Sequence, residues 1–267
     1  MTTGTWPLRV VPLRFGKSAA TLVERNILVY RQLWGVLVSG FFEPVFYLFS
    51  VTIGIGALVG DVTLANGTVV SYPSFVAPAL LGASAMNGPV FESFGIFFKL
   101  KYAKIYDGVL ATPVSPQDIA AGEITWSQMR GAIYSAAFLI VMAAMGLVES
   151  PWGILAFPAA MLTGLAFGAV GMAATTYLRS WQDFDLVTLV TMPMFLFSAT
   201  FYPLDVYPSW LQVVARLSPL YQAVDLMRSF TLGLLDWSIL GHVAYLAIMA
   251  LIGLTIASRR IETLLLK

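Results

Sequence analysis

Apolar residues run in long blocks along this chain, and the polar interruptions between them set its layout. Six blocks read as membrane spans, over residues 34–58, 75–98, 124–148, 152–177, 186–201 and 238–257. Ahead of them, Phe15 to Leu33 carries Ala19, Leu22, Val23, Ile27 and Tyr30 at helical spacing, followed by Trp34. Lys17, Glu24, Arg25 and Arg31 fall on other faces, which predicts an amphipathic helix lying in the membrane interface. The longest polar interruption, Lys99 to Pro116, opens with Lys99, Lys101 and Lys104. Its first half predicts a short amphipathic helix through Tyr102, Ile105, Tyr106 and Leu110, which Pro113 and Pro116 end before the next span. Residues 202–237 are too polar to span and too apolar for a plain loop. Pro203, Pro208 and Pro219 break that stretch into one or two short helices dipping into the outer interface. The predicted fold is therefore all-α and polytopic, with an N-terminal segment 1–33 and a six-span domain 34–267.

Charge placement orients these spans. Of the 15 Lys and Arg residues, twelve fall on one side: Arg9, Arg14, Lys17, Arg25, Arg31, Lys99, Lys101, Lys104, Arg179, Arg259, Arg260 and Lys267. Arg216 and Arg228 fall on the other, and Arg130 lies within the third span. The positive-inside rule then puts both termini in the cytoplasm. Composition agrees with a membrane assignment: of the 267 residues 58% are hydrophobic and only 11% charged, against about 25% charged in soluble domains. A net charge of +1 argues against nucleic acid as a partner. There is no cysteine, hence no disulfide framework or thiolate metal site, and no cleavable signal peptide is evident.

Few residues in the spans carry chemistry. Glu43-Pro44 lies near the middle of the first span, where a carboxylate costs about 2.5–3.5 kcal/mol and therefore faces protein or water. It reads either as part of a substrate path or subunit seam, or as a protonated acid satisfied by a neighbouring helix. Glu123 and Arg130, seven residues apart, share a helix face, and Arg130 is expected to snorkel. Gly16-Lys17-Ser18 is not a phosphate loop, because Val11 stands where a Gly is required and no strand precedes it. Asp183 and Asp185 form a lone Asp-x-Asp pair, read as a solvated loop. His242 reads as an interfacial residue, and Gly164-xxx-Gly168 as a close-packing pattern.

Several stretches resemble a known family in order and spacing. Phe41-Phe-Glu-Pro-Val-Phe-Tyr-Leu48, with Tyr72-Pro-Ser-Phe-Val-Ala-Pro-Ala-Leu-Leu81, is similar to the permeases of type-2 ABC exporters. The nearest branch is that of the nodulation-factor (lipo-oligosaccharide) exporters and their drug-efflux relatives. Phe97-Phe-Lys-Leu-Lys-Tyr-Ala-Lys-Ile-Tyr-Asp107 and Ala111-Thr-Pro-Val-Ser-Pro116 resemble the cytoplasmic coupling region. Ser198-Ala-Thr-Phe-Tyr-Pro-Leu-Asp205 and Leu217-Ser-Pro-Leu-Tyr-Gln-Ala-Val-Asp-Leu-Met-Arg228 resemble its external element. The resemblance implies a pair of permeases, of one kind or two, above two separate ATP-binding subunits. ATP and Mg would enter through those partners, and this chain would hold no cofactor.

By the same resemblance, Glu24, Arg25, Lys99, Lys101, Tyr102, Tyr106, Asp107, Thr112, Pro113 and Pro116 would couple to the ATPases. Glu43, Pro44, Phe201, Tyr202 and Pro203 would lie on the translocation path, the last three near its outer gate. The implied activity is export of an amphipathic or lipid-linked substrate, either a glycolipid or a hydrophobic drug. The alternatives are a membrane enzyme acting on lipid phosphates through Asp183 and Asp185, and a structural membrane subunit with no transport role.

Overall fold

A computed structural model describes residues 16–32, 34–64 and 66–265. The Glu43 side chain, Arg9, Arg14 and Lys267 lie outside the described residues. Helix α1 (Lys17–Gln32) is followed by α2 (Trp34–Ser50), a π turn (Val51–Ile55) and α3 (Gly56–Val59). Pro44 lies inside α2, where it removes one backbone hydrogen bond. Gly60 turns the chain at φ 72°, a left-handed value that a side chain would resist. Strands β1 (Asp61–Thr63) and β2 (Val69–Ser71) then pair antiparallel, Val62 opposite Val70. This hairpin corrects the all-α expectation: β-branched Val62, Thr63, Val69 and Val70 flank a turn closed by Asn66 Oδ1 accepting from the Thr68 N–H at 3.0 Å.

Long helices form the body. Helix α4 (Tyr72–Lys101) starts where the Ser71 hydroxyl accepts from the Ser74 N–H, and it rises for 30 residues, about 45 Å. Helix α5 (Ile105–Leu110) is the short element predicted between the lysines and the prolines. Helix α6 (Pro116–Ala144) begins earlier than the predicted third span, because Ser115 and Asp118 form a reciprocal cap and Pro116 occupies the first turn. A 3-10 turn (Pro151–Leu155) leads into α7 (Ala156–Thr175). Helix α8 (Phe184–Phe197) is 14 residues long, about 21 Å, and stops before the predicted end at 201. The Ser198 hydroxyl takes up the Met194 carbonyl and the Thr200 hydroxyl the Phe195 carbonyl, while Ala199 turns the chain at φ 54°. Helices α9 (Ser209–Leu217) and α10 (Pro219–Leu232) form the broken element predicted over 202–237, and α11 (Ser238–Leu265) closes the chain.

Among the described residues, three segments are long and apolar enough to cross a membrane: Tyr72–Lys101, Pro151–Thr175 and Ser238–Leu264. A shorter apolar segment covers Pro44–Val59. Phe75, Leu81, Met86, Phe138, Met142, Leu220 and Met227 are fully buried in a core shared by α4, α6, α7, α10 and α11. Gly168 of the predicted close-packing pattern lets α7 approach α4, where an added Cβ would sit 3.1 Å from Pro89. A second cluster gathers at the lysine-rich end: Leu22, Ile96, Tyr106, Ile119, Ile124, Met172 and Ile261. It joins α1, α4, α5, α6, α7 and α11 just below the main core.

Candidate functional site

At the lysine-rich end, one carboxylate organises the junction between α1, α4, α5 and α6. Glu123, on the second turn of α6, is 1% exposed. One of its oxygens accepts from Arg25 Nη2 at 3.1 Å; the other accepts from Lys99 Nζ at 2.8 Å and Asn26 Nδ2 at 3.2 Å. An ion this deep is tolerated only when its oxygens are occupied, and here both are. One residue earlier, Gly122 lets α1 come close: an added Cβ would lie 2.9 Å from the Leu22 Cβ. Contacts then progress in step along both helices, the Tyr30 ring packing at a tilt on Trp126 with ring centroids 5.0 Å apart. Helix α1 thus runs parallel to the first turns of α6, where the sequence predicts a helix lying in the interface.

Helix α5 is seated on this junction. Tyr106, 2% exposed, turns into the second cluster beside Glu123. Burial, reinforced by the Glu123 charge, pushes its hydroxyl well above the ordinary tyrosine value. Tyr106 therefore anchors α5 from within, while Lys101, Tyr102 and Asp107 stay exposed on the same region. Thr112 and Pro113 are also exposed, Pro116 is half-buried, and the Tyr102 ring stacks on Phe98 at 5.8 Å. Glu24 is exposed, whereas Arg25 turns inward to Glu123. The predicted coupling residues thus divide into an inner set (Arg25, Lys99, Tyr106) and an outer set (Glu24, Lys101, Tyr102, Asp107, Thr112, Pro113), with half-buried Pro116 between them.

Above the junction lies a second ion pair that sequence reasoning missed. Arg130 binds the Glu92 carboxylate, donates to the Tyr30 hydroxyl at 3.0 Å and to the Tyr134 hydroxyl at 3.4 Å, and lies over the Tyr30 ring at 4.7 Å. Arg130 is therefore fixed within the protein and does not snorkel. Its signal in the sequence was the seven-residue spacing to Glu123, since both side chains face α1. The pair closes one end of a cavity of about 450 Å³ bounded by α2, α4, α6 and α8. Pro44 and Tyr47 of α2, Leu80 and Phe91 of α4, and Phe195 of α8 supply its apolar wall. Of the predicted path residues, Pro44 lines the cavity, and Phe201 packs on Tyr47 and Phe195 with centroids 6.2 and 5.3 Å apart. Tyr202 is exposed and Pro203 half-buried, both away from the cavity lining.

The external element is held by a buried arginine. Arg228 of α10 donates to the Phe75 carbonyl at 3.2 Å and the Ala199 carbonyl at 3.0 Å, and its guanidinium lies 3.9 Å from the Phe75 ring centroid. It therefore fastens the break after α8 to the start of α4. His242 is placed 3.1 Å from Asp225 and against Gln222, joining α11 to α10. At the other end, Asp183 accepts from the Arg179 and Ser180 N–H groups and from the Ser180 hydroxyl, which holds its carboxyl below the usual range. Its oxygens are spent on starting the turn before α8.

Comparison with known proteins places this architecture among transporters. A family model described as ABC-2 type transporter matches residues 18–232. The chain is 32% identical over 227 residues to nodulation protein J of Rhizobium leguminosarum bv. trifolii, covering 84% of this chain and 85% of that protein. It is 30% identical over 232 residues to nodulation protein J of Rhizobium meliloti, covering 85% and 87%. Inner membrane transport permease YadH of Escherichia coli K12 is 26% identical over 188 residues, covering 68% and 70%.

Proposed function

The chain belongs to the ABC-2 type transporter family as a multi-pass membrane permease subunit, and from that premise we propose that it is worked by ATPases docked on its lysine-rich end. Two ATP-binding subunits, proposed as separate chains, bring ATP and Mg. The permease acts as a pair, with a second copy or a paralogue. Six spans with both termini in the cytoplasm remain the arrangement that charge placement favours; α8, the shortest, is extended by the turn through Phe201.

The observation that carries this reading is the Glu123 junction. Ion pairs through Glu123 join α1 to α4 and α6, α5 packs on the same junction through Tyr106, and α4 and α6 both bound the cavity. A buried carboxylate with both oxygens bonded resists rearrangement, which suits a junction that carries movement between these helices. The exposed Lys101, Tyr102 and Asp107 supply the docking face, and Tyr106 holds that face in position. The cargo is amphipathic or lipid-linked, a lipo-oligosaccharide-like glycolipid or a hydrophobic drug, which suits a cavity with an apolar wall and one polar end. Phe201, beside Tyr47, stands at the outer end of that wall.

The test is reconstitution with the cognate ATPase in vesicles. ATP should drive outward movement of a short-chain fluorescent glycolipid, and Tyr102→Ala with Asp107→Ala should abolish movement while leaving the protein inserted. Full transport in that double variant would overturn the coupling assignment. The rival reading, a lipid-phosphate enzyme, requires Asp183 as a metal ligand. It is disfavoured by the three hydrogen bonds that Asp183 already accepts.

A further inference from the structure

The corner between α9 and α10 is gripped from α11 by two side chains one turn apart. Tyr245 donates its hydroxyl to the Leu217 carbonyl at 2.8 Å, and His242 sits between Gln222 and Asp225 of α10. His242 is 8% exposed although it lies in the second turn of its helix. Gln222 has one workable orientation. Its amide nitrogen donates to the Arg216 carbonyl, among the last of α9, so its oxygen is the atom turned to the His242 ring. An amide oxygen only accepts, and Nδ1 therefore carries a proton. The other ring nitrogen, Nε2, is buried, makes no hydrogen bond and lies 3.1 Å from Asp225 Oδ2. A bare lone pair there would oppose a carboxylate oxygen, whereas a protonated ring brings the charge that the carboxylate attracts. Both nitrogens face acceptors, an arrangement that suits the imidazolium and neither neutral tautomer.

We infer that His242 is a proton-operated clasp: as imidazolium it holds the α9–α10 corner against α11, and on losing its proton it lets that corner loosen. The inference rests on the permease reading only in taking this corner as part of the outer gate. The corner reaches that gate through Ser218, whose hydroxyl lies 2.8 Å from the Ser198 hydroxyl at the turn leading to Phe201. Helix α9 has little core of its own, since Ala215 is its one buried residue and Trp210, Val213, Val214 and Leu217 are exposed. Histidine exchanges its proton between about pH 5 and 8. The other charged groups around this corner keep their state over that range. Asp236, ahead of α11, has its carboxyl held below the usual range by hydrogen bonds from Ser238. Tyr221 is pushed up to about 12 by burial and by the Asp225 charge. Arg228, brought down to about 10 by burial, stays charged, as does Arg216. Helices α6 and α7 also pack on α11, but α7 has no ionisable side chain and α6 none beyond Tyr134.

The experiment uses the full chain in lipid nanodiscs, where both faces meet the same buffer, and hydrogen exchange corrected for the chemical rate at each pH. Protection of residues 211–222 should fall about tenfold from pH 5.5 to 8.5, the worth of one charge-assisted hydrogen bond, while α7 keeps its protection. His242→Gln, which takes no proton, should remove the pH response. Asp225→Asn is the sharper test. Its amide donates to a bare Nε2 or accepts from a protonated one, so protection should stay high at both pH values. An ion pair with a merely structural role predicts the opposite, protection lowered at both.

Equal protection of 211–222 at the two pH values in the wild type would overturn the clasp. So would a pH response that survives in His242→Gln, or an Asp225→Asn protein that either responds as the wild type does or loses protection at both. Should His242→Gln fail to fold, Asp225→Asn decides alone. Exchange requires no ATPase. A flat wild-type response with an ATPase still co-purifying therefore fails the clasp alone, and a clear response with no co-purifying ATPase fails the permease reading alone.

Discussion

Lys99 Nζ lies 2.8 Å from Glu123 Oε2, so the last turn of α4 is tied to the second turn of α6 by an ion pair whose carboxylate is buried. Arg25 takes the other carboxylate oxygen at 3.1 Å. Removing the shared anion leaves two cations facing one another. Glu123→Ala is expected to cost on the order of 3 kcal/mol, with Glu123→Gln less severe because the amide still accepts from one of them. Thermal unfolding of the detergent-solubilised protein measures this; an unchanged midpoint in Glu123→Ala would contradict the role of the junction.

Tyr106 makes the junction sensitive to alkali. Its hydroxyl is raised in the folded protein, so the stability it lends is complete below the ordinary tyrosine value near 10. That stability is lost as pH climbs from there toward the folded value. Tyr106→Phe should behave as wild type at neutral pH, because the hydroxyl has no well-formed hydrogen bond to lose. It should also remain folded at alkaline pH where the wild-type α5 loosens. Limited proteolysis across pH 8 to 11 reads the difference.

Gly122 sets how close α1 comes to α6. Gly122→Val places carbon against the Leu22 side chain and the Ala19 carbonyl, 2.9 and 3.2 Å from the first added atom. Overpacking of this kind costs about 1–3 kcal/mol and here falls on α1 alone. Faster hydrogen exchange in 17–32, with α7 and α11 unaffected, is the expected result.

Ala199 holds a left-handed backbone at φ 54°, with its carbonyl bound by Arg228. Ala199→Gly should be neutral or stabilising by up to about 1 kcal/mol, since glycine adopts this conformation without strain. Arg228→Met should act oppositely, releasing the Phe75 and Ala199 carbonyls together, and exchange in 198–203 should rise.

Much of the fold was legible because lipid imposes a simple code: long apolar blocks, prolines at breaks and lysines on one side. The α5 helix between Lys101 and Pro113 and the broken external element follow from local chemistry, whereas α4 starts at Tyr72, ahead of the predicted span 75–98, on a Ser71 cap that the apolar pattern does not show. The site was less legible. Glu123, Glu92 and Arg130 acquire meaning only from partners 24 to 98 residues away, and no local pattern announces a pair between α4 and α6. Tyr106 was visible as part of an amphipathic helix, yet which face of α5 turns inward depends on where α1 and Glu123 stand. The β hairpin was missed because strands of three residues leave almost no periodicity to read.

Docking of an ATPase on the lysine-rich end is measured by affinity capture of the detergent-solubilised protein from its native membrane, assayed for ATPase activity. A co-purifying ATP-binding chain is expected, lost from the Tyr102→Ala, Asp107→Ala double variant and retained by Ala199→Gly. A protein that emerges alone and without ATPase activity, or one whose ATPase survives the double variant at full yield, would contradict it.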